Sequence, residues 1–122
     1  MSRLLRWFSV LVAAGCGQAG TVCADQVDTG WLTASAYQAQ FDELVAAGRY
    51  PPQVYGRNNN NASEYRGYFC PTTAAFYSCH GHTLESYTAL NGTESAQGYK
   101  RVWVQSFVDG SGIERYQATW VK

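Results

Sequence analysis

Charge is scarce in this 122-residue chain and shows no excess of either sign. Lys and Arg together number nine, Asp and Glu also number nine, and charged residues make up only 15% of the sequence. A balanced charge gives no long-range attraction to nucleic acid or to an anionic membrane surface, so we predict no nucleic-acid partner. Aromatic residues make up another 15%, which favours a folded domain over disorder. The length fits one small domain.

The sequence also lacks the motifs of common catalytic and cofactor sites. It contains no Gly-x-Ser-x-Gly elbow, no His-Glu-x-x-His pair, no phosphate-binding glycine loop and no dinucleotide fingerprint. We therefore predict that the protein is not an enzyme and needs no cofactor or metal. A small hydrolase or metal protein using Cys79, His80 and His82 is a less favoured alternative, because a structural zinc site takes four ligands.

No apolar run is long enough to span a membrane as a helix, which takes about 20 residues. The apolar segment 7–15 follows Arg3 and Arg6, and the small residue Ala24 comes shortly after it. This order of positive charge, apolar core and small residue is typical of a secretory signal peptide. We predict a signal peptide over residues 1–24, a secreted or periplasmic location, and no transmembrane segment after its removal.

A second interpretation of the leader is a lipoprotein cleavage box. The sequence Ala13-Ala14-Gly15-Cys16 resembles such a box, with Cys16 as the residue that receives the lipid. The alternative location is therefore a membrane surface to which the domain is anchored through Cys16.

The four cysteines predict one disulfide bond. Cleavage after Ala24 would remove Cys16 and Cys23 and leave Cys70 and Cys79, an even pair in an oxidising compartment. We predict that these two residues form a bond that closes the loop 70–79.

The remaining chain, residues 25–122, contains an internal repeat with a period near 50. Equivalent residues lie 50 positions apart up to the first strand of each copy and 51 apart after the following turn. The matching pairs are Thr33 and Thr83, Tyr37 and Tyr87, Gly48 and Gly98, Val54 and Val104, Tyr65 and Tyr116, and Phe69 and Trp120. We predict a single domain made of two repeats, about 31–69 and 81–122, joined by the disulfide loop.

Each copy has the pattern of a helix followed by a β-hairpin. Thr33 and Thr83 are suitable helix N-caps, and Gly48 and Gly98 lie where a glycine commonly ends a helix. Turn residues then separate two strand-like segments in each copy. The predicted fold class is α+β, with an antiparallel sheet of about four strands and two helices packed on it. An exposed sheet edge would allow a homodimer.

The second copy resembles a known family. The segment Gly98–Lys122 begins Gly-Tyr-Lys-Arg-Val, ends Arg-Tyr-x-Ala-x-Trp, and follows a His-x-Thr sequence. It is similar to the bacterial tandem repeats described as polyglycine-hydrolase-like structural repeats, which often lie beside serine-β-lactamase-like hydrolase domains. The resemblance implies a non-catalytic accessory or binding unit. The Ser-x-x-Lys motif of such a hydrolase is absent, because neither Lys100 nor Lys122 has a serine three positions before it.

Tyrosines around the predicted strands are candidates for a binding surface. Their rings are apolar while their hydroxyl groups stay wet, which suits recognition, although the same residues can pack a sheet against helices. The candidate binding residues are Tyr55, Tyr65, Tyr68, Tyr99 and Trp103. We predict a non-catalytic binding module that recognises a protein or a cell-envelope polymer. The alternative is a periplasmic inhibitor or immunity-type protein that blocks a partner enzyme.

Overall fold

The computed structural model describes residues 21–122, and these form two helices and seven strands in an α+β arrangement. The predicted leader up to residue 20, including Cys16, lies outside the described residues. The elements in chain order are β1 Val27–Asp28, β2 Leu32–Thr33, α1 Ala34–Ala46, β3 Arg49–Asn59, β4 Ala62–Pro71, β5 Phe76–His82, α2 Leu84–Ala96, β6 Lys100–Val108 and β7 Glu114–Val121. Within residues 21–122, no helix is long and apolar enough to cross a membrane.

The two helices begin and end in the same way. The hydroxyl groups of Thr33 and Thr83 accept hydrogen bonds from backbone N–H groups three residues later, and so cap the two N-termini. Gly48 and Gly98 follow the last turns with φ of +85° and +93°. Only glycine takes this left-handed conformation without strain, so both helices end where the sequence predicts.

The strands form two antiparallel sheets, so the prediction of one sheet was wrong. In the first sheet β4 is central and pairs with β3 on one side and with the short strands β1 and β2 on the other. In the second sheet β7 is central, between β5 and β6. The sheets stay separate because the free edge of β3 is hydrogen-bonded by side chains of the second repeat, and not by another strand.

Each sheet packs one face against the helix of its own repeat, which gives two cores. In the first core, Tyr37 of α1 contacts the buried side chains of Val54, Tyr65 and Phe69. In the second core, Tyr87 of α2 packs with Cys79, Ala118 and Trp120. The predicted repeat is therefore visible in the tertiary structure, because equivalent tyrosines occupy equivalent places in the two cores.

The disulfide bond joins Cys23 to Cys70, which corrects the predicted pairing of Cys70 with Cys79. Cys70 lies on β4 of the first sheet, whereas Cys79 lies on β5 of the second sheet and is a buried free thiol in the second core. The prediction failed because it assigned Cys23 to the leader. A disulfide bond is typical of proteins in an oxidising compartment outside the cytosol.

Candidate binding surface

The second repeat holds the first through a surface that we call the outer face of repeat 2. It is the face of the second sheet turned away from α2, and its central side chains are Trp103, Gln105, Gln117 and Thr119. These residues alternate along β6 and β7 with the side chains on the helix side, as the pleat of a strand requires. Strand β3 of the first repeat lies across this outer face.

Side chains of this face satisfy the backbone of β3. The amide of Gln105 accepts from the N–H of Gly56 at 2.9 Å and donates to its carbonyl at 3.0 Å. The indole N–H of Trp103 donates to the carbonyl of Val54 at 2.8 Å, and the hydroxyl of Thr119 donates to that of Pro51 at 2.7 Å. The edge of β3 that faces away from β4 is thus protected by side chains and not by another strand.

A fully buried glutamine keeps the Gln105 amide in place. The Nε2 of Gln117 donates to Oε1 of Gln105 at 2.7 Å, while its own Oε1 accepts from the N–H of Gly81 at 2.9 Å. Gly56 fits closely, because a Cβ there would lie 2.5 Å from the ring of Phe107. The outer face of repeat 2 is therefore a fitted site for an extended segment of chain.

The equivalent surface in the first sheet is the outer face of repeat 1. The spacings of 50 and 51 place Gln53, Tyr55, Arg66 and Tyr68 where repeat 2 has Trp103, Gln105, Gln117 and Thr119. In the described part of the chain, no helix or strand lies across this face as β3 lies across the other.

Aromatic rings form the centre of the outer face of repeat 1. The ring of Tyr55 meets that of Tyr68 edge-on at 5.9 Å and that of Trp103 at 5.2 Å. The Arg66 guanidinium lies 5.3 Å from the centre of the Tyr68 ring. The rings hold one another in place, because each contacts at least one neighbour.

Arginine–carboxylate pairs border these rings and leave the surface without net charge. Arg66 donates from Nε and Nη2 to both carboxylate oxygens of Asp28, and these bonds hold the pKa of Asp28 below its ordinary value. Arg57 pairs with Glu64 and lies 4.3 Å above the ring of Trp31. The Arg66 and Asp28 side chains are 31% and 35% exposed, so the pair is accessible to a ligand.

The structure brings three of the five predicted binding residues together. Tyr55, Tyr68 and Trp103 form the aromatic centre, in which Tyr55 and Trp103 are partly exposed and Tyr68 is only 8% exposed. Tyr65 is 4% exposed and lies in the first core. Tyr99 packs against the second core. Sequence reasoning missed the other members of the surface, which are the ring of Trp31 and the polar residues Gln53, Arg57, Arg66, Asp28 and Glu64. Aligning the two repeats strand by strand would have identified Gln53 and Arg66 as equivalents of Trp103 and Gln117.

In the segment from Cys79 to His82, Cys79 is buried and the two histidines are partly exposed. Burial raises the pKa of the Cys79 thiol to about 11 and lowers the pKa of His80 to about 4. The His80 ring lies edge-on to the rings of Tyr37 and Tyr65, and His82 shares a hydrogen bond with the Ser86 hydroxyl. In residues 21–122, His, Cys, Asp and Glu side chains form no cluster of three that could hold a metal ion.

These features define a tandem array of two homologous units, in which the second unit clasps an edge of the first. The chain belongs to the family described as the polyglycine hydrolase-like structural repeat, whose sequence model matches residues 32–69 and again 73–122. The resemblance noted in the sequence is thereby confirmed. Among the curated proteins and the solved structures with which the chain was compared, none matches it.

Proposed function

We propose that the protein is an exported, non-catalytic binding module that recognises a protein or a cell-envelope polymer through the outer face of repeat 1. The observation that carries this proposal is the relation between the two outer faces. The outer face of repeat 2 is a binding surface in a literal sense, because it holds β3 through four hydrogen bonds. Its counterpart in repeat 1 has the same position in the unit and carries no such strand within residues 21–122.

The chemistry of the outer face of repeat 1 supports a binding role. Tyr55, Tyr68 and Trp103 supply rigid rings, and aromatic residues of this kind are enriched at recognition sites. The Arg66–Asp28 pair adds a charged donor and an acceptor at the border of the rings. A neutral surface with both kinds of polar group suits a ligand that is itself polar and carries little net charge.

Export is the second part of the proposal, and the disulfide bond changes where the leader would be removed. Cys23 is bonded to Cys70, Asp25 pairs with Arg49, and Val27 begins a strand that pairs with β4. Cleavage after Ala24 would remove one half of the bond. We therefore place the cleavage upstream of Cys23, which is compatible with the lipoprotein box that ends at Cys16.

A retention experiment tests the binding role. The full chain is exported from a bacterial host, and the purified protein is incubated with native envelope extract in wild-type, Tyr55→Ala and Tyr77→Ala forms. Tyr77 is an exposed tyrosine of the second repeat and serves as the matched control. We expect the wild type and Tyr77→Ala to retain the same material and Tyr55→Ala to lose most of it.

The retained material also distinguishes the kinds of partner. One enzyme recovered near equal stoichiometry would favour the inhibitor alternative, whereas insoluble polymer would favour envelope recognition. Equal retention by all three forms would contradict a binding site on the outer face of repeat 1.

A further inference from the structure

The ligand of the outer face of repeat 1 can be inferred from what the outer face of repeat 2 already holds. Resting on the proposed function, we propose that the outer face of repeat 1 binds an extended, proline-containing peptide segment of a partner protein. The segment clasped by repeat 2 is Tyr50–Gly56, which has the sequence Tyr-Pro-Pro-Gln-Val-Tyr-Gly. It is extended, and Pro51 and Pro52 are its second and third residues.

We call the set of hydrogen bonds between the outer face of repeat 2 and the segment Tyr50–Gly56 the clasp. These bonds explain why a proline-containing segment fits. Three backbone carbonyls of the segment, those of Pro51, Val54 and Gly56, accept from side chains of repeat 2. Only one N–H, that of Gly56, donates to the face. Proline keeps its carbonyl and has no N–H, so it leaves no donor unpaired against a surface that mostly donates.

The outer face of repeat 1 also offers donors. Arg66 uses Nε and Nη2 on Asp28, and within residues 21–122 its Nη1 makes no hydrogen bond. The Oε1 of Gln53 accepts from the hydroxyl of Tyr55, which leaves its Nε2 to donate. Gln53 lies at the position equivalent to Trp103, and Arg66 at the position equivalent to Gln117. In repeat 2, Trp103 donates to the backbone of β3.

The rings on this face suit the apolar rings of the prolines in an extended segment. The partly exposed rings of Tyr55 and Trp103 meet at an interplanar angle of 63°, and the largely buried ring of Tyr68 meets that of Tyr55 at 90°. Surfaces lined by aromatic rings recognise proline-rich segments, because the polyproline conformation is preformed and loses little entropy on binding.

A second copy of this chain is a poorer occupant than another protein. The β3 segment of any copy is already covered by its own second repeat. The equivalent strand β6 has Arg101 and Val102 where β3 has its two prolines, and Ser106 where β3 has Gly56. The occupant is therefore a segment of a different protein.

A peptide taken from the chain itself is the probe that tests this inference. The synthetic peptide Arg-Tyr-Pro-Pro-Gln-Val-Tyr-Gly-Arg, residues 49–57, is titrated into the isotopically labelled full-length mature protein, and NMR shifts are followed. We expect shifts at the side chains of Tyr55 and Arg66. Replacing both prolines of the peptide with alanine, or Tyr55 of the protein with alanine, should weaken binding at least about tenfold, the loss of roughly one good contact.

Three results would overturn the inference: no shifts at millimolar peptide, binding that ignores both replacements, or shifts confined to Gly56 and Gln105. The last result would mean that the peptide displaces β3 instead of using the free face. Arg66→Gln provides a second protein variant if Tyr55→Ala does not fold, and it should also weaken binding. If the peptide fails while envelope retention still depends on Tyr55, the proposed function stands and only the peptide ligand is excluded.

Discussion

The two repeats share one topology and differ in what lies against them. Val54 and Val104 occupy equivalent positions on β3 and β6, yet Val54 is fully buried and Val104 is 39% exposed. Val54 belongs to the first core and its strand β3 is also covered by the outer face of repeat 2, whereas Val104 lies on β6, an edge strand of the second sheet, and is not part of the second core. A duplicated unit thus has one inner and one outer edge, and the residues of each edge have adapted to that position.

The adaptation is visible at single residues. Gly56 leaves room for Phe107, while its counterpart Ser106 is exposed and donates to Glu114. Gln105 clasps a backbone, while its counterpart Tyr55 contributes a ring to a free surface. Under the proposed function, the first repeat provides the surface for a partner, and the second repeat orders it by covering β3.

The largest expected effect comes from removing the covalent link, which only the first repeat has. In the chain-entropy model, a bond between residues 47 positions apart stabilises the protein by about 4 kcal/mol. The double variant Cys23→Ala, Cys70→Ala should lose about that much free energy of unfolding in guanidinium titrations. Cys79→Ala, which removes a small buried thiol of the second repeat, is the control and should lose about 1 kcal/mol. Equal losses in the two variants would contradict the Cys23–Cys70 pairing.

Acid should destabilise the contact between the repeats through His80. Its pKa is about 4 in the folded protein because burial, with a smaller contribution from His82, opposes the charged form. The unfolded chain has the ordinary value of 6.5, so it binds a proton first as the pH falls. Stability should therefore be unaffected above about pH 7 and should decrease between about pH 6.5 and 4, by up to roughly 3 kcal/mol.

The variant His80→Phe checks this pH dependence. Relative to its own free energy of unfolding at pH 8, the variant should lose much less stability between pH 6.5 and 4 than the wild type loses. Burial also lowers the pKa of the nearby His82. The variant His82→Gln is therefore the control, because it shows how much of the pH dependence comes from His82 and not from His80. A wild-type slope that survives in His80→Phe would show that other groups carry the acid sensitivity.

Local sequence signals predicted the units of this fold but not their assembly. The Thr caps, the glycines after the helices and the 50-residue period are short-range features, and each appears in the structure as expected. Asn91 and Gly92 have low helix propensity, yet α2 continues through them to Ala96 because tertiary packing outweighs local propensity.

The clasp between the repeats could not be predicted, because it joins residues 49 to 68 positions apart through side chains. Gln105 and Thr119 look like ordinary polar strand residues until β3 is seen against them. The candidate surface was predicted in part, since its rings stand out by residue type. Its arginines pair with acids such as Asp28, 38 positions from Arg66, and no local pattern marks such a pair.

Placing alanine at equivalent positions of β3 and β6 tests the difference between the inner and outer edges. Gly56→Ala places a Cβ against Phe107 and Gln117 and should cost about 2 kcal/mol, a usual value for overpacking. Ser106→Ala creates the same residue on the exposed edge and should change stability by less than about 0.5 kcal/mol. Thermal unfolding of both variants measures the contrast. Similar melting temperatures would mean that β3 is not clasped in solution.

The smallest effect concerns the two core tyrosines, which occupy equivalent places but differ in hydrogen bonding. The hydroxyl of Tyr87 accepts from Arg101 at 2.6 Å, whereas that of Tyr37 is buried and has no partner within the described residues. Tyr87→Phe should therefore cost about 1 kcal/mol, and Tyr37→Phe should leave stability unchanged or raise it by up to about 1 kcal/mol.

Denaturant titrations of the two phenylalanine variants and of the double variant measure this difference. The two changes lie in separate cores, so their effects should add. A loss of 1 kcal/mol or more in Tyr37→Phe would show that its hydroxyl has a partner in solution, such as a buried water. The first core would then contain a polar contact of its own, and the contrast between the two tyrosines would disappear.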